Sequence, residues 1–505
     1  MGSLSAPAVT TFVIYLIGMV GIGLWVYKRT SNLSDFVLGG RSLGSGTAAL
    51  SAQASDMSGW LLLGLPGAIY ATGVGASWIG IGLLAGTYLN WKFVAGRLRT
   101  YTERADDAVT LSAYFESRFE DRTRMLRVVS ALVTIIFFSL YVSSGLVAGG
   151  LLFEQVFGIE LTTAITVSAL VIVVYTVLGG FLAVSYTDAV QGSLMLAALL
   201  VVPLVGVAAL GGFGAMTDLI NAETPALLSF GTEASFSDGA WTTGGAISVL
   251  AIASGLAWGL GYPGQPHIVA RFMGIRSASD VPAARRIGTG WVALCLAGAI
   301  IAGIAGIAAL PTLANPETVF LDLIATYLNP WVGGILLAAV LAAIMSTADS
   351  QLLVASSSVT EDLYRALFRA DAADRTLLWM GRAATVGVAV VAYLLALRGG
   401  SVLNIVAYAW AGFGAAFGPV VILSLYWNRM TSAGALAGMV SGAVTVLAWE
   451  TWGSDAVYSI IPGVLISTAC VLAFSRLGRV PTGRDWSRLD NDMSGLAATP
   501  PPARS

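Results

Sequence analysis

One stretch of the sequence decides the fold: Ser51-Ala-Gln-Ala-Ser-Asp56-Met57-Ser58-Gly-Trp60-Leu-Leu-Leu-Gly64-Leu-Pro66-Gly67. It lies in an apolar run, where an ionisable side chain is costly unless it serves a site or pairs internally. The glycine, proline and hydroxyl residues around Asp56 indicate that the helix is interrupted there. Lipid tolerates such a break only where it lines a cavity. In a competing interpretation Asp56 braces the break without contacting a ligand, which still places the break here.

The composition of the whole chain shows what surrounds that stretch. Of the 505 residues 56% are hydrophobic and 11% are charged, against about 25% charged in soluble proteins. Apolar runs recur with no polar domain between them, so the sequence predicts an all-α membrane protein of about thirteen transmembrane helices. The approximate limits of the predicted spans are 8–27, 44–72, 74–96, 126–154, 161–180, 188–213, 241–266, 288–312, 325–360, 377–397, 402–427, 433–453 and 457–475.

The basic residues predict the orientation. If successive loops alternate sides, 25 of the 26 Lys and Arg residues fall on one side, and only Arg398 lies opposite. Because positive residues concentrate on the cytoplasmic side, we expect an outside N-terminus and a cytoplasmic C-terminus, in a bacterial inner membrane. No cleavable signal is expected, since the first apolar run has no basic residue before it and no small-residue cleavage site after it. The polar tail is expected to be disordered.

A second interruption falls in the seventh span, at Trp258-Gly-Leu-Gly-Tyr262-Pro263-Gly264-Gln265-Pro266-His267. Three glycines and two prolines within nine residues cannot form one regular helix. Trp258 and Tyr262 share a helix face, which fits ordinary core packing or, beside a forced break, the wall of a ligand pocket. Two broken spans five spans apart predict two inverted five-helix repeats with the ligand site between them at mid-membrane.

The ninth span carries a third polar cluster, Ala342-Ala343-Ile-Met-Ser346-Thr347-Ala-Asp349-Ser350. Ala343, Ser346 and Thr347 fall on one helix face, and their carbonyl and hydroxyl oxygens suit a small, hard cation. Hydroxyls in membrane helices also commonly bond to their own preceding turn, so that alternative stays open. A site without a titratable ligand favours sodium over protons. The only histidine, His267, is expected to be a polar helix end at the cytoplasmic side rather than a proton relay, which stays open as the alternative.

Several strings make the chain resemble the sodium/solute symporter family, and the resemblance runs from the first span almost to the last. These strings are Leu38-Gly-Gly-Arg41-Ser-Leu-Gly, Ser55-Asp56-Met57-Ser58-Gly-Trp60, Ile268-Val-Ala-Arg271-Phe, Thr360-Glu-Asp-Leu-Tyr364 and Tyr408-Ala-Trp-Ala-Gly-Phe-Gly-Ala-Ala-Phe-Gly-Pro419. The resemblance implies a LeuT-like fold with discontinuous helices two and seven. The expected segments are 1–43 (peripheral helix one and a cytoplasmic loop), 44–213 (first repeat), 214–240 (extracellular loop), 241–427 (second repeat), 428–476 (peripheral helices twelve and thirteen) and 477–505 (tail).

The resemblance also implies a function, sodium-driven uptake of a small amino acid, L-proline first, by alternating access. It implies a sodium site made of the carbonyls of Ala54, Met57 and Ala343 with the hydroxyls of Ser346 and Thr347. Relatives that bind an additional sodium carry extra hydroxyls where this chain has Ala343, so we expect one sodium per cycle. The implied substrate-binding residues are Ser58, Trp60, Gly64, Tyr141, Trp258, Tyr262, Gln265 and Pro266.

Three charged residues are implied to act in coupling or gating. Asp56 matches a carboxylate important for sodium use, which we expect to organise the break rather than to bind sodium directly. Asp188, expected to open the sixth span, matches an acidic residue linked to sodium passage. Arg41 matches a basic residue near the cytoplasmic entrance to the pathway.

Other functions remain open on the sequence alone. The aromatic pocket does not fix the substrate, which could be another small amino acid, pantothenate or a monocarboxylate. A membrane sensor of the same fold usually carries an appended signalling domain, and only a short tail follows Arg476. An enzyme is disfavoured because no histidine is expected within the bilayer to activate Ser346 or Thr347. The expected partners are a small solute and membrane lipid, with no nucleic acid and no obligatory protein partner.

Overall fold

The structure is a computed structural model that describes residues 6–27, 38–178, 181–369, 372–454 and 456–481. The described chain is almost entirely helical, and eight of its helices are long and apolar enough to cross a membrane. Shorter apolar helices, such as Ala6–Met19 and Ile460–Phe474, accompany them. The chain is therefore a multi-pass membrane protein. Lys28, Arg29 and most of the predicted tail lie outside the described residues.

Helices correspond to each of the predicted spans, and we number them span 1 to span 13. Their bounds are Ala6–Tyr27, Ser45–Ala54 with Leu65–Thr72 (span 2), Ser77–Leu89 continuing to Arg104 (span 3), Met125–Phe157, Leu161–Leu178, Phe181–Ala209, Val249–Ala257 with Pro266–Gly274 (span 7), Val281–Ala309, Pro330–Ser357, Asp374–Ala396, Val402–Tyr426, Ser432–Trp452 and Ile460–Phe474. Additional helices Leu111–Arg118, Phe213–Glu223 and Val319–Tyr327 lie in the loops.

Both predicted interruptions are present, so the prediction of discontinuous second and seventh helices is confirmed. The first half of span 2 ends at Ala54, and the chain passes through a turn and a π-helical segment, Trp60–Gly64, before the helix resumes at Leu65. In span 7 a tight 3-10 segment, Trp258–Gly264, leads to an extended residue, Gln265, before the helix resumes at Pro266. Proline at the first helical position is preorganised for that restart.

Span 11 packs against both interruptions. A Cβ atom added to Gly261 in span 7 would overlap the indole of Trp410 on span 11. A Cβ added to Gly64 in span 2 would lie 3.0 Å from the Cβ of Leu403, also on span 11. The missing side chains therefore let one unbroken helix lie against two broken ones, as close helix approach in membranes requires.

A small β-hairpin, which the all-helical expectation did not include, lies before span 7. Strand β1, Thr232–Ser237, pairs antiparallel with strand β2, Ala240–Ala246, through a turn at Asp238 and Gly239 with positive φ at both residues. This is the backbone shape that tight hairpins favour. The indole of Trp241 donates to the carbonyl of Tyr70 at 2.7 Å, so the hairpin covers the end of span 2. We call this end of the bundle the hairpin end. We call the opposite end, where Arg41 lies between the start of span 2 and the end of span 7, the arginine end.

Several predicted span limits are wrong, among them the starts of spans 6, 7 and 9. Span 7 begins at Val249 rather than 241, because residues 241–246 form strand β2. Span 9 begins at Pro330 rather than 325, because Asn329 caps a new helix there by accepting from the amides of Trp331 and Val332. Span 6 begins at Phe181 rather than 188, so Asp188 lies two turns inside the helix instead of opening it.

The loop between spans 8 and 9 is bonded to the start of span 11. The carboxylate of Glu317 accepts from the backbone amides of Val402 at 2.9 Å and Leu403 at 3.1 Å, and from the hydroxyl of Ser401 at 2.9 Å. These amides are among those that a helix start leaves without an intrahelical partner. A Cβ added to Gly67 of span 2 would lie 2.9 Å from the Cα of Glu317. Glu317 therefore joins span 11 to the second half of span 2, Leu65–Thr72.

We expect Glu317→Ala to destabilise the protein by about 2 kcal/mol, because it removes a charged cap from the start of span 11. The measurement is the thermal unfolding midpoint in detergent. Glu223→Ala, an exposed carboxylate at the end of a loop helix, is the matched control and should leave the midpoint unchanged. Equal midpoints for the two variants would show that the cap contributes nothing.

Candidate functional site

The break in span 2 lies against the hydroxyls of span 9. The Ser346 hydroxyl donates to the carbonyl of Ala54 at 2.8 Å and to that of Ala343 at 3.1 Å. The Thr347 hydroxyl is within 3.4 Å of the same two carbonyls. All four residues are at most 2% exposed. Four oxygens therefore converge away from lipid, where the end of the first half of span 2 meets the continuous helix of span 9. Unwound backbone of this kind coordinates small cations in membrane transporters.

Met57, the remaining residue of the predicted sodium site, lies in the same break. Its side chain is fully buried, and its amide donates to the carbonyl of Gln53 at 2.9 Å. That bond is the last one of helical type before the break, so the residues that follow are free to turn toward spans 4 and 7. Ala54 and Met57 lie three residues apart, and their carbonyls remain a predicted pair of sodium ligands.

Asp56 joins the two broken helices. Its carboxylate accepts from the hydroxyl of Tyr262 on span 7 at 2.8 Å. Its backbone carbonyl accepts from the indole of Trp60 at 3.0 Å and from the hydroxyl of Tyr141 on span 4 at 3.3 Å. The second carboxylate oxygen is buried and bonds to no described residue. Asp56 thus supports the break through its backbone and links it to span 7 through its side chain.

The predicted aromatic residues lie together around these bonds. The rings of Trp60 and Trp258 are 6.2 Å apart, and Tyr262 packs edge-on to Trp410 at 5.0 Å. Trp410, on span 11, was not predicted; its indole donates to the carbonyl of Trp258 at 2.8 Å. Its position in the Tyr408–Pro419 string was the only signal in the sequence. Aromatic faces meeting at such distances form a compact apolar wall.

The other predicted pocket residues lie at separate places along the two breaks. Gln265 lies at the span 7 break, where its amide nitrogen donates to the carbonyls of Gly261 and Trp410 at 3.3 and 3.2 Å, and its side-chain oxygen is buried without a described partner. Ser58 lies inside the first break, and Pro266 restarts span 7. Gly64 packs against Leu403 of span 11.

A cavity of about 970 Å³ leads from the hairpin end toward these residues. The hairpin and spans 2, 3, 7 and 11 line it, together with the segment between spans 12 and 13, and it reaches Trp258 and Tyr458. Its charged lining residues are the carboxylates Glu233 and Glu450. Trp60 and Tyr262 are each 1% exposed. The rings of Trp60 and Tyr262 therefore separate the cavity from the polar groups at the span 2 break.

A buried ion pair lies among spans 2, 6, 7 and 9. The guanidinium of Arg271 is 3.1 Å from the carboxylate of Asp188, and both side chains are fully buried. The Ser51 hydroxyl donates to Asp188 at 2.7 Å, and Arg271 donates to the hydroxyls of Ser51 at 3.0 Å and Ser350 at 2.6 Å. Sequence reasoning selected Asp188 but not its partner Arg271, since a span limit near 266 placed Arg271 in a loop.

The arginine end is held shut by backbone and guanidinium bonds. The amide of Leu43 donates to the carbonyl of Gly274 at 3.2 Å, and that of Arg276 donates to the carbonyl of Leu43 at 2.8 Å. Arg41 donates to the carboxylate of Asp107 at 2.8 Å and to the carbonyl of Met273 at 2.7 Å. Burial lowers the pKa of the Arg41 guanidinium, which Asp107 partly offsets. Arg41 thus ties the start of span 2 to the end of span 7.

The prediction for His267 is wrong. It lies in the first turn after the span 7 break rather than at an exposed helix end, and it is fully buried. Its ring packs edge-on against Phe138 at 5.4 Å and Tyr141 at 5.9 Å. The helix of span 7 restarts at Pro266 and continues to Gly274, eight residues beyond the predicted limit of 266, which carries His267 inside. Neither nitrogen of the His267 ring forms a hydrogen bond with a described residue. No described group therefore orients the ring to accept a proton.

Comparison with known proteins places this geometry among sodium-coupled transporters. A sequence model of the sodium:solute symporter family matches residues 36–442. The chain is 47% identical to the sodium/proline symporter of Escherichia coli (strain K12), over 99% of each chain. It is 49% identical to the high-affinity proline transporter PutP of Bacillus subtilis (strain 168), over 92% of this chain and 97% of that one. The osmoregulated proline transporter OpuE of the same organism is 46% identical over 95% and 96%.

Solved structures show the fold. A Na⁺-coupled sialic acid symporter in a substrate-bound, outward-open state matches with a TM-score of 0.79 at 18% identity, over 95% of this chain and all of that chain. Mhp1, a nucleobase-cation-symport-1 family transporter, matches with a TM-score of 0.53 at 14% identity, over 92% and 99%. The predicted LeuT-like arrangement of two inverted five-helix repeats is confirmed.

We expect Arg271→Gln to destabilise the protein by about 3–5 kcal/mol, because it leaves the Asp188 carboxylate buried without its counter-ion. The double variant Asp188→Asn/Arg271→Gln removes both charges and should lose less. The thermal unfolding midpoint in detergent measures both. Arg276→Gln breaks an exposed pair with Asp280 and serves as the control, with an expected loss below about 1 kcal/mol. If the double variant is no more stable than the single one, the ion pair is not what holds these spans together.

Proposed function

This chain belongs to the sodium:solute symporter family, and from that premise we propose that it takes up L-proline by coupling it to sodium entry. The relatives named above are proline transporters and match over nearly the full chain. The single observation that carries the proposal is the meeting of the Ser346 and Thr347 hydroxyls with the Ala54 carbonyl at the break of span 2. It is a secondary active transporter and not an enzyme.

Sodium is held by the carbonyls of Ala54, Met57 and Ala343 and the hydroxyls of Ser346 and Thr347. The Ser346 proton now occupies a lone pair of the Ala54 carbonyl, so a bound cation replaces that hydrogen bond with direct coordination by both oxygens. Bound sodium therefore joins spans 2 and 9 more strongly and holds the break in one shape. Because this chain has Ala343 where relatives with an additional sodium carry a hydroxyl, we expect one sodium per cycle. Its charge gains about 2.3 kcal/mol per 100 mV of inward potential.

Proline binds beside the ion, within the aromatic wall. Its carboxylate faces the amide ends of the broken helices, which carry partial positive charge, and its ring packs on the indole and phenol faces. The residues that form this pocket are Ser58, Trp60, Gly64, Tyr141, Trp258, Tyr262, Gln265 and Pro266. Because sodium fixes span 2, which also carries part of the pocket, each ligand favours the conformer that the other binds.

Asp56, Asp188 and Arg41 act in coupling. The hydrogen bond between Asp56 and Tyr262 transmits a change in the conformation of the span 2 break to span 7. Asp188 lies on the way to the arginine end, where sodium leaving the site meets a carboxylate already paired with Arg271. Arg41 ties spans 2 and 7 together at that end, and the tie must open before release.

The hairpin end of the bundle faces the outside of a bacterial inner membrane. With that orientation the N-terminus lies outside and the C-terminus lies in the cytoplasm. The arginine end takes almost all the basic residues of the described loops, as cytoplasmic loops do. The first inverted repeat is 44–213. The second begins with span 7 at Val249 and runs to 427, because strand β2 extends the extracellular loop 214–240 to residue 246. The peripheral helices are Ala6–Tyr27 and the two helices within 428–476. Lipid surrounds the exposed apolar faces, and no protein partner is required for transport.

The central experiment is uptake of labelled proline into proteoliposomes with an imposed sodium gradient. Uptake that continues at the same rate in sodium-free medium at constant pH would rule out sodium coupling. Competition by other small amino acids, pantothenate and monocarboxylates identifies the substrate. If one of these displaces labelled proline at far lower concentration than proline itself, that solute is the substrate and the coupling mechanism is unchanged.

We expect Ser346→Ala to raise the sodium concentration for half-maximal uptake by about tenfold or more, because it removes one of five ligands from the ion. The proline KM at saturating sodium should change much less. Ser441→Ala on span 12 is the matched control, since that hydroxyl also bonds to a carbonyl of its own helix, at 3.3 Å from Gly438. A wild-type sodium dependence in Ser346→Ala would remove the serine from the ion site.

Orientation is tested with single cysteines on a background in which Cys295 and Cys470 are replaced. Asp238→Cys at the exposed hairpin turn should react with a membrane-impermeant maleimide in intact cells. Ser279→Cys, exposed between spans 7 and 8, should react only after permeabilisation. The reverse pattern would invert the assignment of both ends.

A further inference from the structure

Tyr458 belongs to a part of the chain assigned to the periphery, yet it reaches the pocket. It lies between spans 12 and 13, outside the two five-helix repeats. Its ring stacks on that of Trp258 with centroids 5.3 Å apart and planes 29° apart. Both residues line the cavity that leads in from the hairpin end. The indole of Trp258 is therefore in contact with Trp60 within the repeats and with Tyr458 outside them.

Two hydrogen bonds fix Tyr458 to the repeat helices. Its hydroxyl donates to the carbonyl of Ala407 on span 11 at 2.7 Å. Its amide donates to the hydroxyl of Ser254 on the first half of span 7 at 3.1 Å. The first bond orients the ring and the second holds its backbone beside Trp258. The ring is thus anchored independently of the residue on which it stacks.

The residues on either side of Tyr458 attach this segment to span 12. The Ser459 hydroxyl donates to the carboxylate of Glu450 at 2.6 Å, and the Trp449 indole donates to the carbonyl of Val457 at 3.0 Å. Span 13 then packs directly on span 11, since a Cβ added to Gly463 would lie 2.6 Å from that of Ala415. The peripheral helices therefore form a rigid support behind Tyr458.

The position of Trp258 needs such a support. Its carbonyl is fixed by the Trp410 indole, but its ring stands at the edge of a large cavity into which it could rotate. A side chain facing open space loses contacts on that side, and several rotamers become similar in energy. Tyr458 supplies the missing contact surface. Stacked aromatic pairs contribute more than the area that they bury.

We propose that Tyr458 is a positioning residue for substrate binding, which holds the Trp258 ring as the outer wall of the pocket and so sets the affinity for the transported solute. The proposal rests on the proposed function, since Trp258 is taken as part of the substrate pocket. It assigns to the peripheral helices a role in substrate affinity and none in sodium binding, because Tyr458 contacts no residue of the ion site.

The test compares Tyr458→Ala, Tyr458→Phe and wild type in proteoliposomes. Tyr458→Ala should raise the proline KM about tenfold, while the maximal rate and the half-maximal sodium concentration at saturating proline stay within about twofold. Tyr458→Phe keeps the stacked ring and loses only the bond to Ala407, so its KM should stay within about threefold of wild type. Tyr393→Ala, a tyrosine on span 10 whose hydroxyl bonds to Thr166 at 2.9 Å, is the control with an unchanged KM.

Each outcome decides the proposal. An unchanged KM in Tyr458→Ala, or a fall in maximal rate and thermal midpoint without a KM change, would overturn it and reduce Tyr458 to a structural residue. If Tyr458→Ala does not fold, Tyr458→Leu, which keeps bulk but has no ring face, replaces it in the same comparison. If wild type takes up another solute instead of proline, the proposed substrate fails, and the KM comparison is made for that solute.

Discussion

The structure depends on one constraint: a helix interrupted inside a membrane must find partners for the peptide groups that the interruption frees. Span 2 meets it with side chains from two other helices and with the indole of its own Trp60. The Ala54 carbonyl accepts from Ser346 of span 9, and the Asp56 carbonyl accepts from Tyr141 of span 4 and from Trp60. These donors are single hydroxyl and indole groups rather than a helical ladder. A cation can therefore replace one of these donors, which is the basis of the sodium site that we propose at the interruption.

The two interruptions are bonded to each other, so neither changes alone. The Asp56 carboxylate accepts a hydrogen bond from Tyr262. Trp410 of span 11 donates to the carbonyl of Trp258, so a change in the shape of span 7 also affects span 11. At the arginine end the start of span 2 is bonded to the end of span 7 through Leu43 and Arg41. Spans 2 and 7 are thus connected at their middles and at one end, whereas the hairpin end separates them by a cavity. The bonded middles of the two spans form a hinge-like centre. The space between the spans is open at the hairpin end and closed at the arginine end.

Much of this could be predicted from local sequence, because glycine and proline disrupt helices wherever they cluster and because Ser346 and Thr347 follow Ala343 at helical spacing. The hydroxyl pair alone was ambiguous, since bonding to the preceding turn also occurs, and both kinds of bond are present. What could not be predicted depends on partners distant in sequence. Arg271 looked like a loop residue until span 7 proved longer, and the same error placed His267 outside. Trp410 and Tyr458 lie in ordinary apolar runs, and only the packing of spans 11 and 13 brings them to Trp258.

The contact between Gly261 and Trp410 has a consequence for how this pocket can vary. An absent methyl group leaves room for an indole that bonds to the backbone beside the ring cluster. Any larger residue at position 261 would push that indole away, and with it the anchor of Trp258. The placement of the ring cluster therefore depends on a residue that has no side chain. If the rings form the pocket as we propose, we expect solute preference to change by exchange of the rings themselves, with glycine kept at position 261.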